Sequence, residues 1–182
     1  GDTLLYLTNG RLMELYRANG WFQKTDRGGP WLGLQGWKQG NRWLGLVWDA
    51  NQVKAWVPSK TTGSDTLLRS SASGTTSAGV WKDGTGWKLV RVYGANKVEW
   101  GNGTTDSVPG PSGVLVQDAL DGAVLFWQAA TGDLWRLRPG SRQRLVTAAG
   151  GLYPAGGGNP NWLVLGGNLA SGVNLKTTGV VH

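Results

Sequence analysis

Apolar residues along this chain come in short runs broken by turn residues. LLYL begins at Leu4, VLFW at Val124 and WLVL at Trp162, and Asn, Gly or Pro follows each within a few positions. Short apolar runs with β-branched and aromatic members, bounded by Asn/Gly turns, predict strands joined as hairpins. Gly or Pro recurs too often for three uninterrupted helical turns almost anywhere, and no 3.6-residue apolar period persists. The best helical stretch is Leu12 to Ala18, stopped by Asn19-Gly20. It aligns with a strand in the copy that starts at Val124, so it reads as strand. The pattern predicts an all-β chain.

The hairpins repeat. WKQGNRW, from Trp37 to Trp43, and WKDGTGW, from Trp81 to Trp87, lie 44 residues apart (81 − 37) with Trp, Lys, Gly and Trp in matched places. Downstream, Ala50-Asn51-Gln52-Val53 corresponds to Ala95-Asn96-Lys97-Val98, and Trp56 to Trp100. Weaker copies start at Leu4 and Val124 and share Gly-x-Leu-x-x-Leu, at Gly10 to Leu15 and Gly132 to Leu137; a degraded one runs from Asn161 to Leu175. Turn centres are expected near Gly10, Asn51, Asn96, Gly132 and Gly172. A period near 40 residues with several strands per unit is the pattern of a propeller blade. A lone hairpin cannot bury two faces, so units must pack on one another. The expected fold is a single all-β domain over residues 1–182, a small five-unit β-propeller-like repeat of hairpins. An irregular antiparallel β-barrel or sandwich is the alternative.

The units LLYLTNGRLMELYRANGW and GAVLFWQAATGDLWRLRPG resemble blades of tachylectin-type and FG-GAP/VCBS-type propellers, which pair an apolar strand, a turn Gly and an L-x-x-L strand. The resemblance covers about half of each repeat. FG-GAP-type blades carry an aspartate-dense calcium loop, and no D-x-D-x-D run exists here, so calcium sites do not carry over. Tachylectin-type proteins bind sugars between blades, and that resemblance implies lectin activity without assigning residues. Spike (projection) domains of small viral capsids are also compact and all-β, and would imply host-receptor attachment.

Composition narrows the chemistry. Cysteine is absent and the single histidine, His182, is the last of the 182 residues. Disulfides, thiolate nucleophiles, Ser–His triads and most zinc sites are therefore excluded. The acids Asp49, Asp83, Glu99, Asp118 and Asp121 are scattered near turns, where Asp commonly bonds local backbone, so no enzyme activity and no cofactor are expected. No apolar run is long enough for a transmembrane helix, and no membrane insertion is expected. The net charge of +7 favours anionic partners.

Twelve tryptophans must be core or contact surface. Trp48, Trp56, Trp127 and Trp135 fall inside strand runs and are expected to pack. Trp21, Trp31, Trp37, Trp81 and Trp162 sit in Gly-bearing connectors and are the candidate ligand contacts, since an indole stacks on the C–H face of a sugar ring. Trp37 and Trp81 lean towards packing, because the repeat preserves them. Lys38 and Lys82 would supply matched cations. In RLRPGSRQR, Arg136 and Arg138 alternate before the Pro139-Gly140 turn and Arg142 and Arg144 after it, so four guanidiniums are expected on one hairpin face. Such forks match carboxylate and sulfate oxygens; the competing role is a solvated edge that deters strand pairing. No nucleic-acid signature accompanies these basic residues, so nucleic acid is not an expected partner.

Three segments read as loops. Pro58 to Ala78 is Ser/Thr/Gly-rich, Gly101 to Gly113 is Gly/Pro-rich, and Gly150 to Asn161 is expected at a binding rim or a partner interface. Asn102-Gly103-Thr104 is a glycosylation sequon by letter. The functional expectation is a secreted or surface-displayed, non-catalytic module that binds glycans, sialylated or sulfated ones in particular. Attachment to a host receptor, with self-association as a dimer, is the alternative.

Overall fold

The computed structural model describes residues 3–39, 42–57, 64–69, 73–110, 113–117, 122–128, 130–146, 151–154, 162–166, 171–174 and 179–181. Among these the chain is all-β, with five antiparallel sheets, no helix and no sheet closed into a barrel. The first sheet has three strands, β1 (Thr3–Thr8), β2 (Arg11–Ala18) and β3 (Trp21–Asp26). The second comprises β4 (Gly33–Gln39), β5 (Arg42–Trp48), β6 (Val53–Val57) and β7 (Ser64–Arg69). The third comprises β8 (Thr75–Lys82), β9 (Trp87–Tyr93), β10 (Lys97–Trp100) and β11 (Thr105–Ser107). In the fourth are β12 (Gly113–Gln117), β13 (Val124–Gln128), β14 (Asp133–Arg138) and β15 (Ser141–Val146). The fifth holds β16 (Gly151–Pro154), β17 (Trp162–Gly166), β18 (Ser171–Asn174) and β19 (Gly179–Val181). Every sheet keeps its strands in chain order. The expected all-β repeat of antiparallel hairpin units is what the described residues form.

Turn chemistry makes these meanders. Asn9-Gly10 and Asn19-Gly20 each link two strands of the first sheet, and all four residues have positive φ (50°, 72°, 53° and 84°). Two consecutive positive φ values are what a type I′ hairpin turn needs, and Asn-Gly adopts them at least cost. Longer turns are closed by aspartate. Asp49 Oδ1 accepts from the amides of Asn51 (2.6 Å) and Gln52 (2.9 Å), and Asp83 Oδ1 from the amides of Thr85 (2.9 Å) and Gly86 (3.2 Å).

The 44-residue repeat places matched residues on corresponding strands of the second and third sheets. Trp37 lies in β4 and Trp81 in β8; Trp56 lies in β6 and Trp100 in β10. The first sheet corresponds to the last three strands of the others, because its Gly10 turn matches the second hairpin at Asn51, Asn96 and Gly132. Gly172 departs from expectation: it pairs within β18, with Val164 and Val181 on either side.

All three expected loops contain strands. Pro58–Ala78 holds β7 and the start of β8, Gly101–Gly113 holds β11, and Gly150–Asn161 holds β16, with 155–161 outside the described residues. Ser/Thr-rich segments such as β8 form strands when they have partners on both sides or a core to face, which composition alone does not reveal.

The chain divides into two compact units, Gly1–Ala78 and Gly79–His182. In the first, Leu12, Val47 and Trp56 are buried with Leu5, Leu7 and Leu34 packed against them. In the second, side chains of the third and fourth sheets share one core around Trp100, Val124 and Phe126. Val124, Leu125 and Phe126 are consecutive and each 0% exposed, so β13 is covered on both faces.

Two glycines make room for aromatic rings. A Cβ at Gly33 would overlap the Trp48 indole of the paired strand, and one at Gly113 would overlap the Phe126 ring. Gly33→Ala is expected to lower stability by about 1–3 kcal/mol, the usual overpacking range, read from chemical denaturation midpoints.

The Asp83 turn predicts a pH dependence. Its carboxylate is held well below the usual range, first by Lys88 Nζ at 2.8 Å and then by Thr85. A lowered folded pKa gives stabilisation that is complete above the free-aspartate value of about 4 and is lost as pH falls through the lowered value. The stability advantage of the wild type over Asp83→Asn should therefore be present at neutral pH and shrink in acid, measured by urea melts across that range.

Candidate functional site

Trp100 organises the ground beneath the site. It ends β10, is 1% exposed, and meets Trp81 edge-on with ring centroids 5.1 Å apart at 72°. Its Nε1–H donates to Asp106 Oδ2 at 2.7 Å. Asp106 lies on β11, paired opposite Val98, so alternation puts it on the same side as Val98 and Trp100. The same Oδ2 accepts the amide of Gly140, at the tip of the β14–β15 hairpin, at 2.9 Å. One carboxylate oxygen thus ties the third sheet to the fourth.

Beside this tie is a cleft of about 150 Å³. Val98, Trp100 and Leu137 form its apolar wall, and Asp106, Ser107, Arg138, Ser141 and Arg142 its polar one. Arg138 and Arg142 are exposed, and neither forms an ion pair with a carboxylate among the described residues. The volume falls below the roughly 300–1,000 Å³ of a drug-sized pocket, so it suits one small group rather than a whole oligosaccharide.

The four expected arginines do not share a face. Pro139-Gly140 is a two-residue turn, and β14 pairs with β15 as Arg138↔Ser141, Leu137↔Arg142, Arg136↔Gln143 and Trp135↔Arg144. An even-length turn sets even-numbered positions opposite odd-numbered ones. Residues directly opposed point to the same side, so Arg142 and Arg144 join Leu137 and Trp135, while Arg136 and Arg138 project from the other face. Arg136 is buried at 7% exposure, and Arg144 lies over the Trp135 ring, 5.8 Å from its centroid. Only Arg138 and Arg142, next to the turn, reach the same cleft.

The connector tryptophans also separate. Trp81 lies within β8, in the core, at 5% exposure, and is not in a connector. Trp31 does lie in one, but its amide donates to Gly10 O at 2.7 Å, its indole packs against the first unit's core, and Lys54 Nζ sits 5.7 Å from its ring centroid. Trp21 opens β3 and is 78% exposed. Trp37 and Trp162 lie within β4 and β17; their side chains, with those of Lys38 and the segment Asp118 to Asp121, fall outside what is described. No indole platform lines the cleft except the buried edge of Trp100.

Sequence reading missed Asp106, Ser107 and Ser141. The signal was the Asn102-Gly103 turn: a hairpin folded there brings Trp100 and Asp106 onto one side. Asn102 itself caps that turn, with Oδ1 accepting from Thr104 N at 3.0 Å and Thr104 Oγ1 at 2.7 Å. Among the described residues there is no group of three or more His, Cys, Asp or Glu side chains placed to hold a metal, and no helix long and apolar enough to cross a membrane.

The fold and cleft together describe an all-β chain of repeated small antiparallel sheets with a polar, arginine-flanked cleft between two of them. No protein-family model matches the sequence, and no curated protein matches it. Among solved structures, the AfRom2 CNH domain aligns with 100% of this chain and 66% of its own length, at 11% identity and a TM-score of 0.48. The chain thus spans just under two thirds of that structure.

Asp106→Ala should leave a buried indole N–H without its acceptor and lower stability by about 1–3 kcal/mol. Asp106→Asn, which keeps an acceptor oxygen, should lose less. Thermal or urea unfolding of both variants measures the difference.

Proposed function

We propose that this chain is a non-catalytic recognition module for acidic glycans, seating the carboxylate or sulfate of a sugar in the cleft between the third and fourth sheets. The observation that carries this reading is a cleft whose lining includes Arg138 and Arg142, both exposed, together with Ser107 and Ser141. Guanidinium forks match planar or tetrahedral oxyanions, and hydroxyls complete the hydrogen bonds a sugar offers. The cleft volume favours the acidic substituent as the group held. The net charge of +7 assists approach of such a ligand. Display outside the cell or on a particle surface is part of the same proposal, since such glycans are met there.

An array containing sialylated, sulfated and neutral glycans tests it. Acidic glycans should bind, weaken with added salt, and lose about ten- to a hundredfold in affinity in Arg138→Ala and Arg142→Ala, the range for charge-assisted hydrogen bonds. Equal binding of neutral glycans, or unchanged affinity in both variants, would remove the basis of the proposal.

A further inference from the structure

The first sheet carries a surface that the cleft does not account for. Among the described residues the exposed large apolar side chains are Leu4 (57%), Trp21 (78%), Phe22 (68%), Leu32 (65%) and Val114 (46%), and all but Val114 fall within the first 32 residues. Register brings two of them, Leu4 and Phe22, onto one face with charge. Leu4 opposes Leu15, which opposes Lys24, and Arg17 opposes Phe22. These five side chains therefore project from one face, while Leu5, Leu7 and Leu12 on the other face enter the core. Trp21, 78% exposed beside the Asn19-Gly20 turn, opposes Ala18 and so projects from the other face.

The charges on this surface are one-sided. Arg17 and Lys24 are both exposed. Of the sheet's two carboxylates, Glu14 is on the core side, 0% exposed and bonded to Arg27 at 2.8 Å. Asp26 is held by Arg11 at 2.6 Å. What remains outward is an apolar group of Leu4, Leu15 and Phe22 beside the cations Arg17 and Lys24. A second copy of the same face would set like charges against each other, and a neutral apolar partner would strip water from two cations without compensation. An anionic lipid surface answers both parts. Aromatic rings settle at the headgroup layer, and basic side chains meet the phosphates.

We propose that the outer face of the first sheet docks peripherally on anionic phospholipid surfaces, with Leu4 and Phe22 entering the headgroup layer and Arg17 and Lys24 contacting phosphates. No strand crosses the bilayer in this arrangement, and the binding is reversible. It is separate from the arginine cleft and does not depend on the glycan proposal.

Sedimentation of the whole chain with phosphatidylcholine vesicles, with and without phosphatidylserine, tests it. Binding should require phosphatidylserine. Leu4→Ala combined with Phe22→Ala should abolish it. Arg17→Gln and Lys24→Gln should each reduce it about fivefold, the effect of one basic residue near such a surface. Arg138→Ala with Arg142→Ala should leave it intact, which separates this surface from the cleft. Matching thermal unfolding curves confirm that the variants fold. Equal binding to both vesicle types, no binding to either, or surface variants that sediment like wild type overturn the proposal. So does a concentration-dependent dimer that Phe22→Ala dissolves while vesicles bind nothing, since a second copy would then be the occupant.

Discussion

The hydrogen bond from Trp100 to Asp106 is the contact on which the second unit's organisation rests. An indole at 1% exposure has no route to water, so its N–H needs a protein acceptor, and Asp106 supplies one at 2.7 Å. Because the same oxygen accepts the Gly140 amide, the carboxylate is spent on two donors from two sheets. The tie places the β14–β15 turn, and with it Arg138 and Arg142, beside β11. Without that oxygen there would still be two sheets, but no defined cleft between them.

Most of the other indoles follow a different rule. Six of them, those of Trp31, Trp48, Trp56, Trp81, Trp127 and Trp135, bury Nε1 with no hydrogen-bond partner. The balance is one of magnitude. Burying an aromatic side chain removes roughly 150–250 Å² from water, which at about 25 cal/mol per Å² is about 4–6 kcal/mol. An unsatisfied donor returns about 1–3 kcal/mol of that. Small sheets of short strands have little else with which to fill the space between them, so tryptophan is used for its area. This explains why so many of the described indoles are buried.

Charge is handled in the same economical way. Arg91 and Glu99, opposed on β9 and β10, are joined at 2.7 Å with the guanidinium 4.4 Å from the Tyr93 ring centroid. Arg27 bonds Glu14 and lies 5.7 Å from the Trp56 ring centroid. Arg91 and Arg27 thus each have both a carboxylate and an aromatic face, the pairing that limits the desolvation penalty. On the edge strand β15, Arg142 and Arg144 are exposed, where cations also discourage pairing with another sheet.

The sequence by itself determined the strand–turn–strand rhythm and the repeat, because Asn-Gly and Asp-bearing turns and a 44-residue match of Trp, Lys and Gly are local or nearly local signals. Leu12 to Ala18 could be read as β2 for that reason, despite a composition that tolerates helix. Which residues face a ligand was not determined locally. Trp81 looks like a loop residue until β7 and β8 are seen to run through the Ser/Thr-rich segment before it. The four arginines look coplanar until the turn is known to hold two residues, a parity that moves two of them to the opposite face. Asp106 becomes meaningful only when a donor six residues away and another 34 residues away meet the same oxygen. Burial and side-chain direction depend on which sheet lies across the gap, and that is decided by tertiary packing rather than by any window of sequence.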